Sequence, residues 1–329
     1  MSQFLKEYLE QFPNLSMSIL PTPIHKLEFL SRKYTCDIYC KRDDLTGFAF
    51  GGNKIRKLDY LLMDALNQKC DTIVTNGSNQ SNWCRMTATA GAANMLEVHL
   101  VLAGKKPGKN TANLLLDELV GANIHHLDTN DDALLERVSM ELVEKLKRQG
   151  KHPYYMSVGG SNSIGALGYI KAFQEILEYS NKSGISFSKI YMGSGSAGTQ
   201  AGLVVGQLLS RWKGLITGIN VSRSKSEQEE KVKIIVEDTL RLLNVRMDQS
   251  IWNKRVVCDD NYLGEGYRKN TEDARQAIEL FARKEGIFLD EVYTGKAAAG
   301  LIDHLEKALI PSNENILFIH TGGNVQLFE

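Results

Sequence analysis

The chain is poor in the features that mark extracellular, membrane or nucleic-acid-binding proteins. Its five cysteines, Cys36, Cys40, Cys70, Cys84 and Cys258, are odd in number and scattered through 329 residues, which argues against a disulfide framework and makes free thiols the expectation. Lysine plus arginine equals aspartate plus glutamate at 39 each, so no charge excess points to nucleic acid or to a membrane surface. No apolar run approaches the length of a membrane span, and the first residues, Met1 to Tyr8, lack the basic and apolar regions of a secretory leader. A cytoplasmic protein with small polar ligands is expected. Metal-ligand spacing is missing: His125 and His126 are sequential and point to opposite faces of a strand, and Cys36 and Cys40 have no partner pair. No Gly-x-Ser-x-Gly elbow holds a nucleophilic serine, and no Gly-x-x-x-x-Gly-Lys-Thr/Ser loop is present.

What is present is material for a full core, with 43% hydrophobic residues, enough for two domains or one large one. Short β-rich runs at 72–75, 98–102, 124–127, 154–158, 189–192, 215–221, 255–259 and 316–320 alternate with helical segments at 82–94, 111–120, 134–149, 165–179 and 271–285. This alternation predicts βαβ units and therefore an α/β protein of open, mostly parallel sheets covered by helices. A second sheet is expected to begin at 189–192, with a domain change near residue 160 and the early segment packing with the later domain. No internal repeat or low-complexity linker interrupts the pattern.

Three stretches carry chemistry. Gly51 and Gly52 precede Lys54 at the edge of an amphipathic helix whose apolar stripe is Leu58, Leu61, Leu62 and Leu66. Most lysines are simply solvated. One held in such a turn can instead form a Schiff base, provided burial or nearby cations keep part of it unprotonated, and Arg56 and Lys57 are candidates for those cations. Gly193 to Gly202 follows a predicted strand and opens a helix, so its backbone N–H groups, with Ser196 and Thr199, form an anion cradle. The stretch also satisfies Gly-x-Gly-x-x-Gly, but Val221, Ser222 and Arg223 stand where a dinucleotide fold places its ribose-binding acid; this disfavours NAD and leaves an NADP enzyme as an alternative. Between strand and helix, Asn76 to Asn82 can receive a carboxylate or cap the helix. Tyr267, Tyr293 and Thr321 lie beside glycine turns near the C-terminus, where tyrosines commonly serve as amphipathic core residues and a threonine hydroxyl either satisfies its turn or bonds a ring nitrogen.

A Schiff-base lysine, a phosphate cradle and a carboxylate pocket together specify pyridoxal 5'-phosphate better than other common cofactors. The chain resembles the family that contains D-cysteine desulfhydrase and 1-aminocyclopropane-1-carboxylate deaminase, within the tryptophan synthase β-like (fold type II) pyridoxal-phosphate enzymes. The resemblance runs from Pro21-Thr22-Pro23-Ile24-His25 through Lys41-Arg42-Asp43-Asp44-Leu45, Gly51 to Lys57, Gln80-Ser81-Asn82 and Tyr293-Thr294-Gly295-Lys296 to His320-Thr321-Gly322-Gly323, essentially the whole chain. It implies Lys54 as the Schiff-base lysine, Asn82 on the cofactor's phenolic oxygen and Ser81 on the substrate carboxylate. It further implies Gly195, Ser196, Ala197, Gly198 and Thr199 around the phosphate, Tyr267 and Tyr293 as active-site tyrosines, and Thr321 at the pyridine nitrogen. A two-domain fold follows, with residues 1–56 and 166–329 in a large cofactor-binding domain and 57–165 in a small one, commonly as a homodimer. Ring-opening deaminases of the family carry a glutamate after the second tyrosine. This chain has Thr294, so the resemblance favours β-elimination from D-cysteine to pyruvate, hydrogen sulfide and ammonia over cyclopropane deamination or sulfite release from L-cysteate. An NADP oxidoreductase and a non-catalytic binding protein are the readings from other classes. Departures from the family pattern fall at Trp83 and Cys84, at Arg268 and Lys269, and at Asn324-Val325-Gln326.

Overall fold

The computed structural model describes residues 2–329. Its strands are β1 (Ile24–Lys26), β2 (Asp37–Arg42), β3 (Thr72–Ser78), β4 (Glu97–Ala103), β5 (Asn123–Leu127), β6 (Pro153–Met156), β7 (Lys189–Ser194), β8 (Leu215–Asn220), β9 (Val257–Asp259) and β10 (Asn315–His320). The first six helices are α1 (Ser2–Leu9), α2 (Glu28–Tyr34), α3 (Lys54–Asn67), α4 (Asn82–Ala93), α5 (Ala112–Leu119) and α6 (Asp132–Arg148). The others are α7 (Ser163–Ser183), α8 (Gly198–Ser210), α9 (Lys225–Leu242), α10 (Gln249–Trp252), α11 (Glu272–Glu285) and α12 (Thr294–Glu306).

Two sheets result. The four-stranded one has the order β5-β4-β3-β6 and is parallel throughout. The six-stranded one has the order β1-β2-β10-β7-β8-β9 and is parallel except at its edge, where β1 pairs antiparallel to β2. Parallel strands are covered on both faces, and every residue of β3 from Thr72 to Gly77 is buried, the polar Thr72, Thr75 and Asn76 included. α3 and α4 pack on the smaller sheet through Ile55, Leu58, Leu61, Leu62, Trp83 and Met86. α7 and α8 fill the core of the larger one, where glycines bring them close: a Cβ on Gly202 would lie 2.4 Å from the Ala166 carbonyl oxygen, and one on Gly206 2.6 Å from Phe173 Cβ.

The larger sheet does not begin at 189–192. β1 and β2 already belong to it, and β10 inserts beside β2 to close the order. β2 escapes a hydrophobicity reading because its buried stretch includes Lys41, whose charge is met inside the protein by Glu175 on α7 at 2.6 Å. The C-terminal ends of β3, β7 and β10 open toward loops, and there an open parallel sheet places its ligands.

Candidate active site

β2 hands the chain to two short turns, Asp43–Leu45 and Phe48–Phe50, and then to α3, whose first residue is Lys54. Gly51 and Gly52 have φ of +70° and +120°, and a Cβ on Gly51 would lie 1.9 Å from the Asp44 carbonyl oxygen. Only glycine fits. The turn packs against a second glycine turn after β10: a Cβ on Gly322 would sit 2.6 Å from Gly52 Cα. Asn53 joins the assembly twice, its backbone N donating to Thr321 O at 2.9 Å and its Nδ2 to Thr199 Oγ1 at 3.0 Å. The paired glycines therefore serve the packing of one turn on another, beyond any approach of a ligand. Three segments far apart in sequence, 51–54, 192–200 and 321–323, thus line one cavity.

Lys54 lines that cavity, half-buried, and burial pushes its amine down to about 8. Arg56 is not the cation anticipated beside it. Its guanidinium is fully buried and turned away, bonded to Asp43 (Nη2 to Oδ1, 2.8 Å) and to Glu175 (Nη1 to Oε1, 2.7 Å). Lys57, one helical turn after Lys54, is buried too; burial and then the charge of Lys54 hold its amine well below the usual lysine range. Lys57 Nζ donates to Gly159 O at 2.9 Å and lies 3.1 Å from where a Cβ on Gly198 would stand, directly at the first turn of α8. A buried amine with one neutral acceptor at a helix N-terminus is a site waiting for an anion.

The cradle itself is built by β7, its following turn and α8. Gly195, Ser196, Ala197 and Thr199 line the cavity, and Ala197 holds φ +75°, a strained value for a residue with a Cβ. Gly198 stands behind them, where its N donates to Ser161 Oγ at 3.3 Å. At Gly195 a Cβ would press on Val221 Cγ2 at 3.1 Å and on the Tyr293 ring at 3.3 Å. Asn82, first residue of α4, also lines the cavity. Ser81 caps that helix by accepting from Cys84 N at 3.2 Å, and it lies just outside the lining. Tyr293 lines the cavity with its hydroxyl 2.7 Å from that of Tyr267, whose ring is partly exposed. Burial holds both phenols above their usual range, so they stay protonated near neutrality.

Thr321 follows β10 directly and lines the cavity. Thr294 does not: its hydroxyl donates to Asp290 Oδ1 at 2.6 Å and accepts from Asp290 N at 2.8 Å. It closes the turn that starts α12 rather than facing the cofactor site. Asn53, Arg85 and Gln200 are lining residues that the motifs did not single out. Helical spacing was the available signal for Arg85, which lies three residues after Asn82.

The donor set fits pyridoxal phosphate point by point: an amine for its aldehyde, backbone N–H groups and Lys57 for its phosphate, an amide for its phenolic oxygen and a hydroxyl for its ring nitrogen. Residues 15–322 match the family described as pyridoxal-phosphate dependent enzyme. The chain is 41% identical over 336 residues to D-cysteine desulfhydrase of Yersinia enterocolitica, covering 98% of each chain. It is 38% identical over 320 residues to a Pyrococcus abyssi protein provisionally named 1-aminocyclopropane-1-carboxylate deaminase, covering 97% of this chain and 94% of that one. A crystal structure described as an ACC deaminase homologue superposes with a TM-score of 0.92 at 38% identity, covering 100% of this chain and 97% of that chain. The two sheets and their connections are those of the fold type II enzymes, and the chain belongs to the pyridoxal-phosphate-dependent enzymes, in the group of the D-cysteine desulfhydrases and 1-aminocyclopropane-1-carboxylate deaminases.

Proposed function

We propose that the protein catalyses β-elimination from D-cysteine: with one water consumed, the C–S and C–N bonds break and pyruvate, hydrogen sulfide and ammonia leave. The observation that carries this reading is the lining of the cavity, which among the described residues contains no carboxylate. Asp290 is the nearest acid to the second glycine turn, since a Cβ on Gly323 would touch it at 2.6 Å, but its oxygens are consumed by Val292 N, Tyr293 N, Thr294 N and the Thr294 hydroxyl. The ring nitrogen would then have the neutral hydroxyl of Thr321 as its partner. A neutral partner protonates the ring less, which suits loss of a good leaving group better than opening of a cyclopropane.

When bound, pyridoxal phosphate supplies an electron sink conjugated with the substrate's α-carbon. The protein's own residues do the rest. Lys54 would hold the cofactor's aldehyde, and its amine, with its affinity for protons lowered by burial, would be the group that accepts the substrate's Cα proton. Gly195 to Thr199 and Lys57 would hold the cofactor's phosphate and so orient the cofactor against Lys54. Ser81 and the N-terminal N–H groups of α4 receive the substrate carboxylate. The Tyr267–Tyr293 hydroxyl pair, protonated near neutrality, can pass a proton to the departing sulfur.

The reading is checked by assaying both cysteine enantiomers for sulfide and pyruvate, L-cysteate for sulfite, and 1-aminocyclopropane-1-carboxylate for 2-oxobutyrate. Sulfide from D-cysteine should exceed 2-oxobutyrate from the cyclopropane at least tenfold in kcat/KM, about 1.4 kcal/mol in transition-state stabilisation. Efficient ring opening with no sulfide would overturn it, and release of sulfite alone would reassign the leaving group.

A further inference from the structure

We infer that Gln326, in the last turn of the chain, is a positioning residue that fixes the amide of Asn82 with a free N–H turned to the cofactor's phenolic oxygen; the inference rests on the pyridoxal-phosphate site proposed above. An asparagine amide can present either its carbonyl or its NH2 to a neighbour, and the two are nearly identical in shape. Only the NH2 can serve a phenolate. Which one faces the cavity is decided by the partners of the other end.

Those partners form a closed set of four amides. Asn82 Oδ1 accepts from Asn113 Nδ2 at 3.0 Å, and Asn82 Nδ2 donates to Gln326 Oε1 at 3.2 Å. Neither partner is free to turn round. Asn113 Nδ2 also donates to the backbone carbonyl of Gln80 at 3.0 Å, and Gln326 Nε2 donates to that same carbonyl at 3.0 Å. A backbone carbonyl can only accept, so Gln80 O sets the direction of both side-chain amides, and they in turn set Asn82. Gln80 is itself held, its Oε1 accepting from Asn113 N at 2.9 Å and its Nε2 donating to Thr111 O at 3.1 Å. Asn82 Nδ2 keeps one N–H with no protein acceptor among the described residues, and Asn82 lines the cavity.

Gln326 is the member that comes from the far side. It lies three residues beyond Gly323, in the turn Asn324–Phe328 that follows the glycine wall of the cavity, while Gln80, Asn82 and Asn113 belong to the α4 and α5 layer on the smaller sheet. One side chain thereby ties the wall carrying Thr321 to the wall carrying Asn82. Without it Asn82 is held by Asn113 alone and is free to swing about that single bond.

The test compares apparent affinities of the apo protein for pyridoxal phosphate and for 3-deoxypyridoxal phosphate, which lacks the phenolic oxygen. Gln326→Leu should weaken pyridoxal phosphate about tenfold, the worth of one hydrogen bond, while leaving the deoxy analogue within twofold. In an Asn82→Ala background the same substitution should have no further effect on either ligand. Equal weakening of both ligands would mean a merely structural role, and unchanged affinity for both would mean no role; either overturns the inference. If the unsubstituted protein shows no visible absorption with pyridoxal phosphate that Lys54→Ala abolishes, the cofactor reading itself falls and the inference with it. Absorption present in the parent with no ligand discrimination in Gln326→Leu sinks the positioning role alone.

Discussion

Burial alone lowers the Lys54 amine, with no cationic neighbour needed. Burial disfavours the ammonium, and the amine is lowered from 10.5 to about 8. The sign fixes a measurable consequence. Below about 8 the group is protonated and cannot attack an aldehyde; above it the free amine accumulates, so the rate at which the apo protein captures pyridoxal phosphate should climb between pH 7 and 9. Stopped-flow absorbance at saturating cofactor should place the midpoint near 8, and a midpoint near 10 would show that the cavity leaves the lysine solvated. At this scale much of the site was legible, because Lys54, the glycines beside it and the Gly193 to Gly202 run are local patterns with a physical purpose. Lys57 was legible only as a charge. That it ends beside α8 depends on how the helix packs, and spacing within α3 does not contain that information. Where Thr294 points was hidden for the same reason: its neighbour Tyr293 lines the cavity, and the start of α12 turns the Thr294 side chain to Asp290.

At the scale of elements, the start of α3 is pinned by a buried ionic cluster. Arg56 on α3 meets Asp43 after β2 and Glu175 on α7, Lys41 on β2 meets Glu175 at 2.6 Å, and Tyr169 donates to Asp43 Oδ2 at 2.6 Å. Burial raises the Glu175 carboxyl, but Arg56 and Lys41 outweigh it and hold the group below its ordinary range. Glu175→Ala leaves Lys41 and Arg56 buried with Asp43 as their one remaining carboxylate in the cluster, a loss of the kind that costs about 3–5 kcal/mol. Urea unfolding at pH 7 should show it; a loss under about 1 kcal/mol would mean that water enters and solvates the cluster. Such charged cores explain which elements the sequence concealed. β2 and the first turn of α3 carry buried charges that read as surface. α9, with its run of glutamates and lysines, shows only a thin apolar stripe of Val232, Ile235, Val236 and Leu240. β3, β4, β7, β8 and β10 were plain, since each is centred on a short stretch of β-branched, aromatic or other apolar residues.

At the scale of the whole chain, no helix among the described residues is long and apolar enough to cross a membrane, and the net charge is zero. Zero net charge removes the self-repulsion that keeps many proteins apart. Large apolar side chains meanwhile stand in solvent around the turns that precede Lys54: Ile19, Leu45 and Phe50 are 68%, 47% and 71% exposed. They share one neighbourhood, because Ile19 N donates to Thr46 O at 2.9 Å and a Cβ on Gly47 would meet Ile19 Cδ1 at 2.4 Å. Apolar groups gathered in this way mark contact surfaces more often than accidents. A two-fold dimer that covers them would also stiffen the turn that holds Lys54, linking assembly to the site. Light scattering at micromolar concentration should therefore give twice the chain mass of 36.7 kDa, and the double substitution Ile19→Asp, Phe50→Asp should bring it to a single chain with helical content unchanged by circular dichroism. A monomeric parent would refute the dimer, and a double variant that stays dimeric would place the interface on another face.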